Sequence, residues 1–125
     1  MGAGAGVVRT VDNGDMNPSA PTQQQIERVV DLVVSAVQPA RIVLFGSAVH
    51  NGASAAHDLD LLVVVPEGTD CSAATDDLYR LMYKNRVGVA IDFVVATEAT
   101  VARHIDTPGM VFSEIAREGR ELYAA

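Results

Sequence analysis

Residues 39–65 read PARIVLFGSAVHNGASAAHDLDLLVVV, two apolar runs joined by a loop of small residues. Short runs rich in Val, Ile and Leu, bounded by Gly, Pro and Asp, predict buried β-strands. The first is Arg41 to Phe45, stopped by Gly46-Ser47; the second is Leu59 to Val65, closed by Pro66-Glu67-Gly68. This second run is entered through Asp58-Leu59-Asp60. An ionised carboxylate loses far more by leaving water than strand pairing returns. Alternation along a strand puts Asp58 and Asp60 on one face, Cα atoms about 6.5 to 7 Å apart, and Leu59 and Leu61 on the other. Such a pair either marks a solvated strand end or awaits a cation.

The same rules delimit the sequence on both sides. Upstream, Thr22 and Gln25 have capping-box spacing, and Ile26, Val29, Val30, Val33 and Val37 form one apolar helix face that ends at Gln38-Pro39. Downstream, Asp70 or Ser72 caps a helix running to about Asn85, with Leu78, Leu81 and Met82 inward. Tyr79 and Tyr83, four apart on that helix, read as half-buried packing rather than as base-stacking groups. VGVAIDFVV, Val87 to Val95, predicts a third strand with another lone acid, Asp92, inside it. Thr97 caps a helix through about Ile105, Thr107-Pro108 starts a last helix that ends at Gly119, and Glu121 to Tyr123 adds a short edge strand. Residues 1–21, rich in Gly, Ala, Asn, Asp, Ser and Pro, predict a disordered leader, which leaves 22–125 as one domain.

Composition narrows the class. The chain has 125 residues, 49% of them hydrophobic, with three Phe, three Tyr and no Trp. Its core therefore rests on aliphatic side chains, which suits buried strands flanked by helices. The one cysteine, Cys71, excludes a disulfide scaffold and predicts a free thiol in a reducing cytoplasm. No run reaches the ~18 apolar residues of a membrane span. The opening MGAGAGVVRT lacks the basic start and apolar core of a signal peptide. Nine Lys and Arg against sixteen Asp and Glu give a net charge of −7, which argues against nonspecific nucleic-acid binding. That charge leaves room for a nucleotide held through metal ions, or for a basic protein partner.

If the strand of Asp92 lies beside that of Asp58 and Asp60, three carboxylates converge. Mg²⁺ suits such a set, being a hard ion held by one or two carboxylates together with substrate phosphates. Two ions about 3.5 to 4 Å apart would clamp the attacking and leaving oxygens of a phosphoryl or nucleotidyl transfer. Gly46-Ser47 supplies a phosphate cradle, since Gly lets the backbone approach and amides and a hydroxyl donate. Each feature alone has a plain structural explanation; their joint occurrence favours a site. His50 and His104 have no zinc spacing, and His57, next to Asp58 on an alternating strand, faces away from it. Arg117 and Arg120 read as solvated residues near the closing turn, with phosphate binding as the other reading.

The stretch Gly46 to Leu61, GSAVHNGASAAHDLDL, resembles the pattern GSxxxGxxxxxSDxDL of the minimal nucleotidyltransferases, a branch of the polymerase-beta-like superfamily. The first Asp follows the Gly by twelve positions, as in the pattern; Asp92 in AIDFVV matches the third acid, and EIAREGRELY resembles the closing REG and LY pattern at Arg117 to Tyr123. The chain departs from it at His57, where the pattern has Ser, at Gly52, displaced by one, and at Ala48, a position often held by Arg. The resemblance implies an α/β (α+β) polymerase-beta-like fold, a small mixed β-sheet with helices packed on it. It further implies Mg²⁺-dependent transfer of a nucleoside monophosphate, AMP from ATP first among them, to a hydroxyl acceptor. Asp58, Asp60 and Asp92 would be catalytic metal ligands, and Gly46 and Ser47 would hold the triphosphate. The implied acceptor is a partner protein such as a HEPN-type toxin, for which relatives of this size serve as antitoxins. The alternative is a catalytically weak or inactive antitoxin that binds a basic partner; a homo-oligomer is compatible with either.

Overall fold

Thr22 caps the first helix as its spacing to Gln25 predicts. Its hydroxyl accepts from the Gln25 N–H at 3.1 Å, and Gln25 Oε1 accepts from the Thr22 N–H at 2.9 Å. Helix α1, Gln23–Val37, buries Ile26, Val29 and Val33 and ends at Gln38, whose φ of 47° turns the chain toward the sheet. Each of those three side chains contributes about 1.5 to 3 kcal/mol by leaving water. The computed structural model describes residues 21–46, 49 and 58–125. The leader as far as residue 20, and Ser47, His50 and His57, lie outside the described residues.

Strands β1, Arg41–Phe45, and β2, Asp58–Val65, are antiparallel neighbours, Arg41 opposite Val64 and Phe45 opposite Asp60. From Leu61 to Val65 every residue of β2 is buried, because helices cover both of its faces there. Pro66 and Thr69 turn the chain into α2, Cys71–Lys84, which Asp70 caps by accepting from the Ala73 N–H at 3.0 Å. Leu78 and Met82 face the core; Lys84 sits in the last turn, where the helix dipole favours a cation.

The third strand, β3, spans Ala90–Thr97 and runs parallel to β2. It starts three residues later than Val87, where the apolar pattern predicted it. Arg86 and Gly88 take φ values of 50° and 79°, and the Val87 N–H closes onto Met82 O at 3.3 Å. That geometry is a helix-terminating turn. Val87 is buried as an anchor of this turn, and its carbonyl accepts from Gln25 Nε2 at 3.4 Å. Thr97 is both the last residue of β3 and the cap of α3, Glu98–His104. Helix α4, Val111–Glu118, begins later than the predicted Thr107-Pro108. Turns closed by Thr107 and Met110, with Gly109 at φ 84°, occupy the intervening residues. Strand β4, Arg120–Ala124, pairs antiparallel with β1 around a bulge at Ile42/Val43.

The sheet order is β3-β2-β1-β4, a mixed four-stranded sheet among the described residues. Helices α1 and α2 cover one face, over Ile42, Leu44, Leu59, Leu61, Val63 and Val65. Val101 of α3 and Phe112 and Ile115 of α4 cover part of the other, over Val43, Leu62, Val64 and Ala96. This is the expected α/β (α+β) arrangement. Of the two tyrosines, Tyr79 packs edge-on against Phe93, with ring centroids 5.1 Å apart. Tyr83, expected to be half-buried, is 87% exposed, because α2 turns Ala74, Leu78 and Met82 to the core instead.

Candidate active site

The parallel register of β2 and β3 pairs Asp60 with Asp92 and Asp58 with Ala90. Register partners share a face, so Asp58, Asp60 and Asp92 lie together on the face opposite α1 and α2. Two residues further along each strand the same face turns apolar, at Leu62 and Val94, and then passes beneath Val101, Phe112 and Ile115. The acids thus occupy the half of this face that the described part of α3 and α4 leaves open. Asp58 and Asp60 are half-buried and Asp92 is exposed. All three acids predicted from sequence are brought together.

Asp60 stands directly opposite Asp92 in the parallel register, within side-chain hydrogen-bond reach of it, and Asp58 lies two residues back on its own strand. Burial pushes the Asp60 carboxyl above the ordinary Asp value, the neighbouring charges of Asp58 and Asp92 push it further, and the Asp92 hydrogen bond adds to this. Like charges gathered on a strand face in this way are relieved by a cation.

Gly46, at the end of β1, is part of the same construction. Its φ is 79°, and a Cβ there would overlap Asp60 Oδ2 and lie 3.1 Å from Asp60 Cγ. The Asp60 carboxylate therefore rests on the Gly46 backbone, next to its cross-strand partner Phe45. Sequence reasoning assigned this glycine to phosphate approach; its seating of Asp60 had no signal in the one-dimensional pattern. Ser47, the other predicted phosphate contact, lies outside the described residues. Arg117 pairs with Glu118 at 3.5 Å near the end of α4, an exposed pair worth little.

The profile of the nucleotidyltransferase domain family matches residues 26–113, from the first buried residue of α1 into α4. The chain belongs to this family. Comparisons with curated proteins and with solved structures gave no match. Membership carries general nucleotidyl transfer and a nucleoside triphosphate substrate. The matched span contains Gly46, Asp58, Asp60 and Asp92, together with all of the sheet except β4.

Whether a divalent metal fits this nucleotidyltransferase domain is decided by the donor set. Among the described residues no group of three or more His, Cys, Asp or Glu side chains is placed to hold a metal ion. The three carboxylates make instead an open set of hard oxygen donors around Asp60, whose hold on a proton is raised by burial and then by the neighbouring Asp58 and Asp92. Mg²⁺ takes one or two carboxylates and draws its remaining ligands from water and phosphate. An open set of this kind leaves carboxylate oxygens for an ion whose other ligands come from water and phosphate. A separate cleft of about 140 Å³, lined by Val43, Leu62, Val101 and Phe112, lies under α3 and α4 and holds none of the three acids. Among the described residues no helix is long and apolar enough to cross a membrane.

Proposed function

We propose that the chain is a Mg²⁺-dependent nucleotidyltransferase of the minimal type, moving a nucleoside monophosphate, AMP from ATP first, to a hydroxyl of a partner protein in the cytoplasm with release of pyrophosphate. The observation that carries this reading is the pairing of Asp60 with Asp92 across the parallel strands, with Asp58 two residues away on the same open face. Asp58 and Asp60 hold the metal. Asp92, the most exposed of the three, contributes a ligand and accepts the proton of the acceptor hydroxyl at its carboxylate. Gly46 and Ser47 orient the triphosphate. When bound, two divalent ions supply charge neutralisation at the attacking and leaving oxygens, so catalysis is largely placement and electrostatics.

A HEPN-type toxin suits the acceptor role, because the chain's net charge of −7 complements a basic partner. The same charge supports a second reading, an antitoxin that neutralises by binding alone. Replacing Asp58 and Asp60 with Asn separates the two. In the presence of ATP and Mg²⁺, intact-mass spectrometry of the partner should show the gain of one nucleotidyl group with the wild-type chain and none with the variant. Neutralisation that survives in the variant, with no mass gain in either case, overturns the enzymatic reading.

A further inference from the structure

Asp92 is carried by an edge strand. β3 pairs with β2 alone and nothing pairs with its outer side among the described residues. A slip of one residue would turn Asp92 to the opposite face, and a slip of two would place Val94 opposite Asp60. The site therefore depends on something that fixes this strand's register. On the outer side of β3 the Phe93 N–H donates to Tyr79 Oη at 2.9 Å. The Tyr79 ring meets the Phe93 ring edge-on at 73°. Phe93 follows Asp92 directly and is buried on the α1/α2 face, so the hydroxyl and the ring grip one residue at two points. Backbone amides of an edge strand otherwise meet water, and a hydroxyl that selects one of them selects one register.

We infer that Tyr79 is a positioning residue for the metal site, acting through Phe93 to hold Asp92 against Asp60. This rests on the reading of Asp58, Asp60 and Asp92 as metal ligands. The distinction from ordinary core packing is testable, because Tyr79→Phe keeps the ring contact and removes only the hydroxyl. Tyr83→Phe, on the same helix and 87% exposed, is the control.

The experiment measures Mn²⁺ binding to the full chain by water-proton relaxation, together with amide exchange at Phe93. Tyr79→Phe should weaken Mn²⁺ binding by about threefold or more, short of the 10–100-fold typical of a group bonded directly to a ligand. It should also speed exchange at Phe93. Tyr83→Phe should do neither. Asp92→Asn combined with Tyr79→Phe should bind as Asp92→Asn alone, since the two changes act through one group. Wild-type Mn²⁺ affinity or unchanged Phe93 exchange in Tyr79→Phe, whatever happens to its melting temperature, overturns the inference. So does additional weakening in the double variant. A wild-type chain that takes up no Mn²⁺ overturns the metal-site reading itself, and the role of Tyr79 with it.

Discussion

A glycine at the end of a strand is ordinarily explained by its turn, but Gly46 also answers to a carboxylate. With φ at 79° and Asp60 Oδ2 where a Cβ would stand, Gly46→Ala meets two penalties at once. The left-handed backbone costs about 1 to 2 kcal/mol for a residue with a side chain. Displacing the Asp60 carboxylate then disturbs the acids themselves. The expected outcome is a loss of about 1 to 2 kcal/mol in urea unfolding and a loss of nucleotidyl transfer beyond what that destabilisation explains. Asp60 makes a second prediction, in the metal-free protein. Its folded carboxyl titrates above the ordinary value of 3.8, so the folded chain holds this proton more tightly than the unfolded chain does. Its contribution to stability is fullest below that ordinary value and is lost as pH rises through the raised folded one. Asp60→Asn should therefore match the wild type most closely in strong acid and become increasingly the more stable of the two toward neutral pH. Thermal melts in chelator across that range check this; added Mg²⁺ should reverse the order by stabilising only the wild type.

Among the elements, the corner from α4 to β4 is closely packed. Gly119 has an ordinary φ of −71°, yet a Cβ there would stand 2.6 Å from both Val43 Cγ1 and Ile115 O. Gly119→Ala should cost about 1 to 3 kcal/mol by overpacking, read as a lower urea midpoint at unchanged slope. The bounds of α1, β1, β2 and α2 were legible because each carries its own punctuation: the Thr22–Gln25 box, Gly46, Pro66 and the Asp70 cap. The start of β3 was not, because Val87 and Val89 continue the apolar pattern while Gly88 and Arg86 bend the backbone away from it. The start of α4 was misplaced for a similar reason. Pro108 is a good first helical residue, but Gly109 at φ 84° interrupts the helix before it begins. Acids inside apolar strands named the three carboxylates. That Asp60 stands opposite Asp92 follows from parallel register, which no local pattern encodes. Tyr79's bond to the Phe93 amide is invisible for the same reason.

For the whole molecule, the proposed function makes cation binding by a chain of net charge −7 a source of stability as well as of chemistry. A ligand at a hundredfold its dissociation constant adds about 2.7 kcal/mol. MgATP should therefore raise the melting temperature of the full chain by several degrees, and by more than Mg²⁺ or ATP alone; the Asp58→Asn variant should lose most of the shift in scanning fluorimetry. Thr97 sets a further dimension. One residue ends β3 and caps α3, so no linker lets the helix slide along the strand. Asp92 lies five residues before that joint, about 16 Å along the strand. The helix start is held at that distance from Asp92 along the strand. Lengthening the joint by even one residue would rotate α3 by about a third of a turn and lift Val101 from its seat on Leu62, Val64 and Ala96.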